Sequence, residues 1–254
     1  YHKNLFHTKL INMDIVSPEP YRLNEYFNQK CDIAQAFDIL INKKGIRELP
    51  APTLILSKEE LLEGRKAIDE IKKKVKKEKL VILQPFGRAI TQIDNSFVDK
   101  SNRSIEFSNL KQIIKKLQEK DWAVCIMSEF GIEFKDAGFK DEVAIPEIPD
   151  LRKWAGLIKY EDHFLGCDSV GQHLAKAMET PASVVMGATY PINTTYPNDK
   201  NFTIIDMGQF DREYDPIRIS FDERISRKHE RIMMMTPEIE DYVVSAVNGD
   251  PIEE

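Results

Sequence analysis

The sequence predicts an α/β fold, a Rossmann-like parallel sheet with helices on both faces, preceded by a helical hinge region. Three observations predict it. Short continuous apolar runs such as "KLVIL", "WAVCI" and "ASVVM" read as strands buried on both faces. Amphipathic stretches alternate with them, and strand–helix alternation of this length implies parallel order. The chain has 254 residues, 42% hydrophobic and 31% charged, enough to bury a substantial core.

Residues 1–52 read as irregular and helical connection. In "SPEPYRLNEYFNQKCDIAQAFDILIN", turn-forming prolines precede Leu23, Tyr26, Phe27, Ile33, Phe37 and Leu40 at near-helical spacing. "ELPAPTLILS" is an extended linker, because a residue before Pro is pushed toward β or polyproline geometry. In "SKEELLEGRKAIDEIKKKVKKEK", Ser57 and Glu60 form a capping box. Its lysine run, 72–79, reads as a solvated helix face, since Leu61, Ile68, Ile71 and Val75 make an apolar stripe opposite.

"KLVILQPFG" is then the first buried strand, and 88–104 a long polar loop. "SIEFSNLKQIIKKLQEKD" is a helix, "WAVCIMS" a strand, "DEVAIP" a short strand and "DLRKWAGLIKY" a helix. "DHFLGC" is a strand, "GQHLAKAME" a helix, and "PASVVMG" and "FTIID" the last two strands. Beyond residue 210 a polar connection leads to one or two helices, in which Met233 to Met235 read as ordinary packing. The chain divides into 1–52, 53–210 and 211–254.

The net charge of −6 argues against nucleic-acid binding by bulk charge. No apolar run reaches the ~18 residues of a membrane span. Cys31, Cys125 and Cys167 lie far apart with no CxxC pair, and read as buried reduced thiols rather than disulfide or zinc ligands. The start, "YHKNLFHTKL", has no signal-peptide core and no initiating Met, which reads as a processed or partial product.

Ligands of an open parallel sheet sit beyond the carboxyl ends of its strands, over helix N-termini. That rule selects loops 85–104, 127–138, 145–151 and 166–173, with 187–197 adjoining. Neither GxxxxGK[ST] nor GxGxxG is present, so P-loop chemistry and a standard dinucleotide fingerprint are unsupported. At "FLGCDSVGQHLAKAM", Asp168 and Ser169 precede a helix as potential caps, which is a complete structural role by itself. Gly171 would allow close backbone approach, and His173 in the first turn can donate to a phosphate oxygen. A metal site from Asp162, His163, Asp168 and His173 lacks standard ligand spacing, and no metal is expected.

"CDSVGQHLAKAMETPASVVMGATYP" resembles the signature of family-9 glycosyltransferases, founded on the ADP-heptose:lipopolysaccharide heptosyltransferases. That signature runs Asp-(Ser/Thr)-Gly-x-x-His-Leu-x-x-Ala, then a strand, then Gly-x-Thr-x-Pro. Asp168, Ser169, His173, Leu174 and Ala177 match the first part, and Gly187, Thr189 and Pro191 the second. "LVILQPFG" is similar to the first strand of the family's C-terminal domain, and "ELPAPTLILSKEE" to its interdomain linker. The resemblance covers about residues 45–200. One departure stands out: the glycine expected after the Asp-Ser pair is Val170, with Gly171 one place later.

The resemblance implies the GT-B architecture, two Rossmann-like domains facing a cleft, of which this chain would be the C-terminal, donor-binding one. It implies inverting, metal-independent transfer of a sugar, heptose in the founding members, from an ADP-type nucleotide-diphosphate donor to a glycan or lipid-linked glycan, with no further cofactor. The expected location is cytoplasmic, at the inner face of the membrane. Asp168 would contact the transferred sugar, and Ser169, Gly171 and His173 the diphosphate. Lys100, or else Arg103, would neutralise the leaving diphosphate; both read equally as solvated loop charges. Glu129 would bind the donor ribose, unless it is only an exposed loop acid. Ile145 and Pro146 would flank the nucleobase through their backbone.

Residues 1–45 are too short for an acceptor domain and read as its tail plus the hinge, with 211–254 packing back toward the N-terminal side. The catalytic base is then expected outside the chain, with Asp94 and Asp99 as weak candidates within it. Two other readings stay open: a GT-B-fold nucleotide-sugar epimerase, and a catalytically silent relic that binds a nucleotide or a protein partner.

Overall fold

A computed structural model describes residues 16–87, 90–93, 96–99, 101–128, 143–209, 212 and 231–251. Two short helices open this part, α1 (Asn24–Phe27) and α2 (Ile33–Asn42). α2 starts at Asp32, whose carboxylate accepts from Gln35 N while the Gln35 side chain returns to Asp32 N, a reciprocal cap. α3 (Lys58–Val75) begins with the predicted Ser57–Glu60 box. Of its stripe, Ile68 is buried and Ile71 and Val75 pack partly against the core, while Lys73 and Lys74 face solvent.

The strands are β1 (Lys79–Gln84), β2 (Ile90–Ile93), β3 (Ser96–Asp99), β4 (Trp122–Ile126), β5 (Val143–Ala144), β6 (His163–Cys167), β7 (Ala182–Met186) and β8 (Phe202–Asp206). Between them run α4 (Phe107–Glu119), α5 (Leu151–Ile158), α6 (Val170–Met178) and α7 (Pro191–Thr194), and α8 (Pro237–Asn248) follows. Six strands form one parallel sheet in the order β5-β4-β1-β6-β7-β8. β2 and β3 form an antiparallel pair, so part of the predicted 88–104 loop is instead a hairpin. "ITQI" and "SFVD" flank Asp94-Asn95, a turn-type dipeptide between two short strands that the polarity of the stretch obscures.

Alternate residues of β1 enter opposite cores, as period-two strand geometry requires. Val81 and Leu83 pack with α4 and α8 through Leu110, Ile113, Leu117, Val243 and Val247. Leu80 and Ile82 pack with α3, α5 and α6 through Ile68, Trp154, Ile158 and Ala175. α3 and α5 touch backbone to backbone: a Cβ on Gly64 would lie 2.3 Å from Gly156 O. Arg152 locks this crossing with two hydrogen bonds to Glu60, at 2.5 and 2.7 Å.

The C-terminal helix α8 belongs to the domain core, since Val243, Val244 and Val247 are buried against the sheet. Met233 and Met235 are buried in that core and Met234 is exposed, in keeping with plain packing. At the other end, Asn193 Nδ2 donates to Tyr26 O and Cys31 O, which ties the first helices to α7. All three cysteines are buried and unpaired, and burial pushes the Cys31 thiol up to about 11. Among the described residues, no helix is long and apolar enough to cross a membrane.

Candidate functional site

From β1 the chain steps one way to β4 and β5, then crosses back to β6 on the other side of β1. The carboxyl ends of β1 and β6 therefore flank the switch point, where α/β sheets open a crevice. Gln84 and Gly166 are register partners there. Cys167, Asp168 and Ser169 lead from β6 into α6, with Ser169 as N-cap.

Asp168 is buried, and both its oxygens are held. Thr189 Oγ1 donates to Oδ2 at 2.8 Å and Gln172 Nε2 to Oδ1 at 3.1 Å. Thr189 of the Gly-x-Thr-x-Pro segment thus fixes the aspartate of the other segment. Gly187 supports this loop, because a Cβ there would lie 2.6 Å from Asn102 O and 2.5 Å from Met233 Sδ. Gln172 was not singled out from sequence, yet it is fully buried on α6. A glutamine four residues after an aspartate, on the inner side of the helix that follows it, was the available signal.

Ser169 accepts from Gln84 Nε2 at 3.1 Å, and Gln84 Oε1 accepts from Gly171 N at 2.7 Å. The Gly171 N–H is therefore occupied within the protein. Its lack of a side chain serves close packing: a Cβ would lie 2.4 Å from both Gln84 Oε1 and the Phe164 ring. Gly166 makes room for the same ring, since a Cβ there would lie 2.6 Å from it.

His173 Nδ1 lies 2.8 Å from the Tyr196 hydroxyl. Burial lowers the imidazole pKa, against a smaller upward pull from Asp168, so the ring is neutral near pH 7. Burial raises the Tyr196 hydroxyl to about 12, keeping it a protonated donor. If it donates to Nδ1, the ring proton sits on Nε2.

Arg103 Nη1 approaches the Asp168 carbonyl at 3.4 Å, and Nε donates to Ser101 Oγ at 3.1 Å. Its guanidinium also borders Gly87: Nη2 would be 3.6 Å from a Cβ built there. Arg103 has no carboxylate partner within ion-pair distance among the described residues, unlike Arg47, Arg152 and Arg212. Asp99 holds the Arg103 loop. It accepts from the backbone and hydroxyls of both Ser101 and Ser104, at 2.5 to 2.9 Å. Burial pushes its carboxyl up, but these four donors outweigh that and hold it below the usual range. An acid so engaged is placed as a loop anchor.

A cavity of roughly 330 Å3 opens at this end of the sheet. Gln84, Gly87 and Ser169 line one side, and Met127, Pro149 and Trp154 give it an apolar wall. Its lining comes from Ile148, Pro149 and Leu151 rather than from Ile145 and Pro146, which precede them on the same segment. Trp154 is fixed in place by its Nε1 donating to Ile148 O at 2.9 Å. Lys100, Glu129 and Asp94 lie outside the described residues. Asp162 and His163 stand at the start of β6, and Asp168 and His173 beyond its end. The four therefore do not converge, and no metal-binding cluster is found among the described residues.

A second, more open cavity of roughly 590 Å3 lies between α2 and residues 192–200, with Asp32, Lys176, Tyr196 and Asp199 on its walls.

No family model matches the sequence, and no curated protein matches it. Solved structures do. ADP-heptose lipopolysaccharide heptosyltransferase II from E. coli superposes with a TM-score of 0.51 at 16% identity, over 85% of this chain and 59% of its own. A family 9 glycosyltransferase from Veillonella parvula DSM 2008 gives 0.63 at 8% identity, over 86% and 59%. The chain has the fold of the matched part of a family-9 glycosyltransferase. It spans 59% of the length of each of these two structures. The resemblance noted at residues 168–191 falls on the β6–α6 junction, on α6 and on the loop that follows β7.

Proposed function

We propose that the chain is the donor-binding part of a glycosyltransferase that takes a nucleotide-diphosphate sugar, with residues 53–210, joined by helix α8, forming the donor domain. The carrying observation is the convergence at one crevice of a clamped carboxylate, Asp168, and a cation, Arg103, that has no carboxylate partner among the described residues. The cavity beside them has an apolar wall of a kind that suits a planar base, Trp154 and Met127. In the proposed mode Asp168 receives the hydroxyls of the sugar, while Arg103, Ser169 and the neutral His173 receive the diphosphate. These groups stabilise the departing diphosphate electrostatically. The resemblance, and the name of the E. coli enzyme as an ADP-heptose transferase, support an ADP-type base for this reading. The acceptor, as a glycan or lipid-linked glycan, and the catalytic base are assigned to the rest of a longer enzyme.

The test is calorimetric titration of the chain with ADP, GDP, UDP and CDP, repeated on Arg103→Ala. One nucleotide is expected to bind in the micromolar range. The arginine variant should lose roughly tenfold or more, the scale of a charge-assisted hydrogen bond. Failure of all four to bind would refute the donor-site assignment.

A further inference from the structure

Gln84, the last residue of β1, is 7% exposed and lines the cavity together with Ser169. Its carboxamide has one allowed orientation. The Gly171 N–H can only donate, so the carbonyl oxygen faces it, and the NH2 group must face Ser169 Oγ. Ser169, although the N-cap residue, makes no side-chain bond to its own helix. A hydroxyl that accepts from Gln84 keeps its proton for another acceptor, and the space it borders is the cavity.

We infer that Gln84 is a positioning residue that turns the Ser169 hydroxyl proton into the cavity, making it a donor to an anionic oxygen of the ligand. The inference rests on the donor-site reading, in which that oxygen belongs to the diphosphate. It also gives the displaced glycine a cause. Only a residue without Cβ at position 171 admits the carboxamide, since a Cβ would sit 2.4 Å from Oε1.

Gln84→Glu tests this directly. A carboxylate still accepts from Gly171 N–H, but it also accepts from the serine, which turns the hydroxyl proton inward. The probe is whichever of ADP, GDP, UDP or CDP binds the unaltered chain, with its nucleoside as control. Gln84→Glu should weaken the nucleoside diphosphate at least tenfold, leave the nucleoside unchanged and melt near the unaltered chain. Ser169→Ala should weaken the diphosphate several-fold in the unaltered chain and have no further effect on Gln84→Glu. Gln84→Met runs the same cycle without added charge and should shrink the serine effect. Equal serine effects in all three backgrounds would overturn the inference, even if charge repulsion alone weakens Gln84→Glu. An unaltered chain that binds none of the four nucleotides overturns the donor-site reading, and the inference falls with it.

Discussion

Gly171→Ala is expected to destabilise the domain by about 3 kcal/mol, the upper range for an overpacked core site. The added methyl would lie 2.4 Å from the Phe164 ring and 2.4 Å from Gln84 Oε1. Gln84 could swing aside, at the loss of its bonds to Gly171 and Ser169. Phe164 could not, because it is fully buried beneath both Gly166 and Gly171. Chemical denaturation of the variant measures the loss. Phe164→Leu added to Gly171→Ala should recover part of it, since neighbouring sites that share a clash are not additive. A variant as stable as the unaltered chain would contradict the packing described.

The second large effect is on pH dependence and arises at the start of β6. His163 is buried with Nε2 at 2.9 Å from Ser183 Oγ, and burial lowers its pKa from 6.5 to about 4. The unfolded chain takes up a proton below pH 6.5 while the folded chain does not until about pH 4. Stability is therefore present above pH 6.5 and falls by about 3 kcal/mol on approach to pH 4. His163→Gln should remove most of that acid loss.

Glu161 works the other way. It is buried, Oε2 accepts from Ile82 N at 2.5 Å, and Oε1 has no partner among the described residues. Burial, more than the nearby Asp162 charge, raises its pKa well above the ordinary value, against the Ile82 bond. The folded chain keeps this proton where the unfolded chain ionises, so stability is lost as pH rises above 4.5. Glu161→Gln keeps an acceptor for Ile82 and cannot ionise. Its melting temperature should exceed that of the unaltered chain at pH 8, by a margin that shrinks toward pH 5. A margin independent of pH would show that Glu161 is already ionised in the folded chain.

Much of this architecture was legible in the sequence, because a strand buried on both faces must be apolar throughout. "KLVIL", "WAVCI", "HFLGC" and "ASVVM" each mark a strand of the sheet within a residue or two. Asp168, Ser169 and His173 were legible because a helix start after such a strand seldom needs all three. The β2–β3 hairpin was not, since its strands are four residues each and carry polar side chains. Gln84 and Gln172 were hidden for a different reason. A glutamine is an ordinary residue in sequence, and its role lies in its contacts: Gln172 with Asp168, and Gln84 with Ser169 and Gly171, both more than eighty positions away along the chain. The glycine at 171 rather than 170 stands in the sequence only as a departure from the resemblance, and becomes intelligible with the Gln84 carboxamide in view.

The central claim, that the β1–β6 crevice holds a nucleoside diphosphate, is tested most directly by amide-resolved NMR during titration with ADP, GDP, UDP and CDP. The account predicts that one of them shifts the Gly87, Ser169 and Val170 amides and the Trp154 indole N–H along a common saturation curve. Saturating nucleotide that leaves those signals in place, or moves instead the residues around Tyr196 and Asp199, would contradict it.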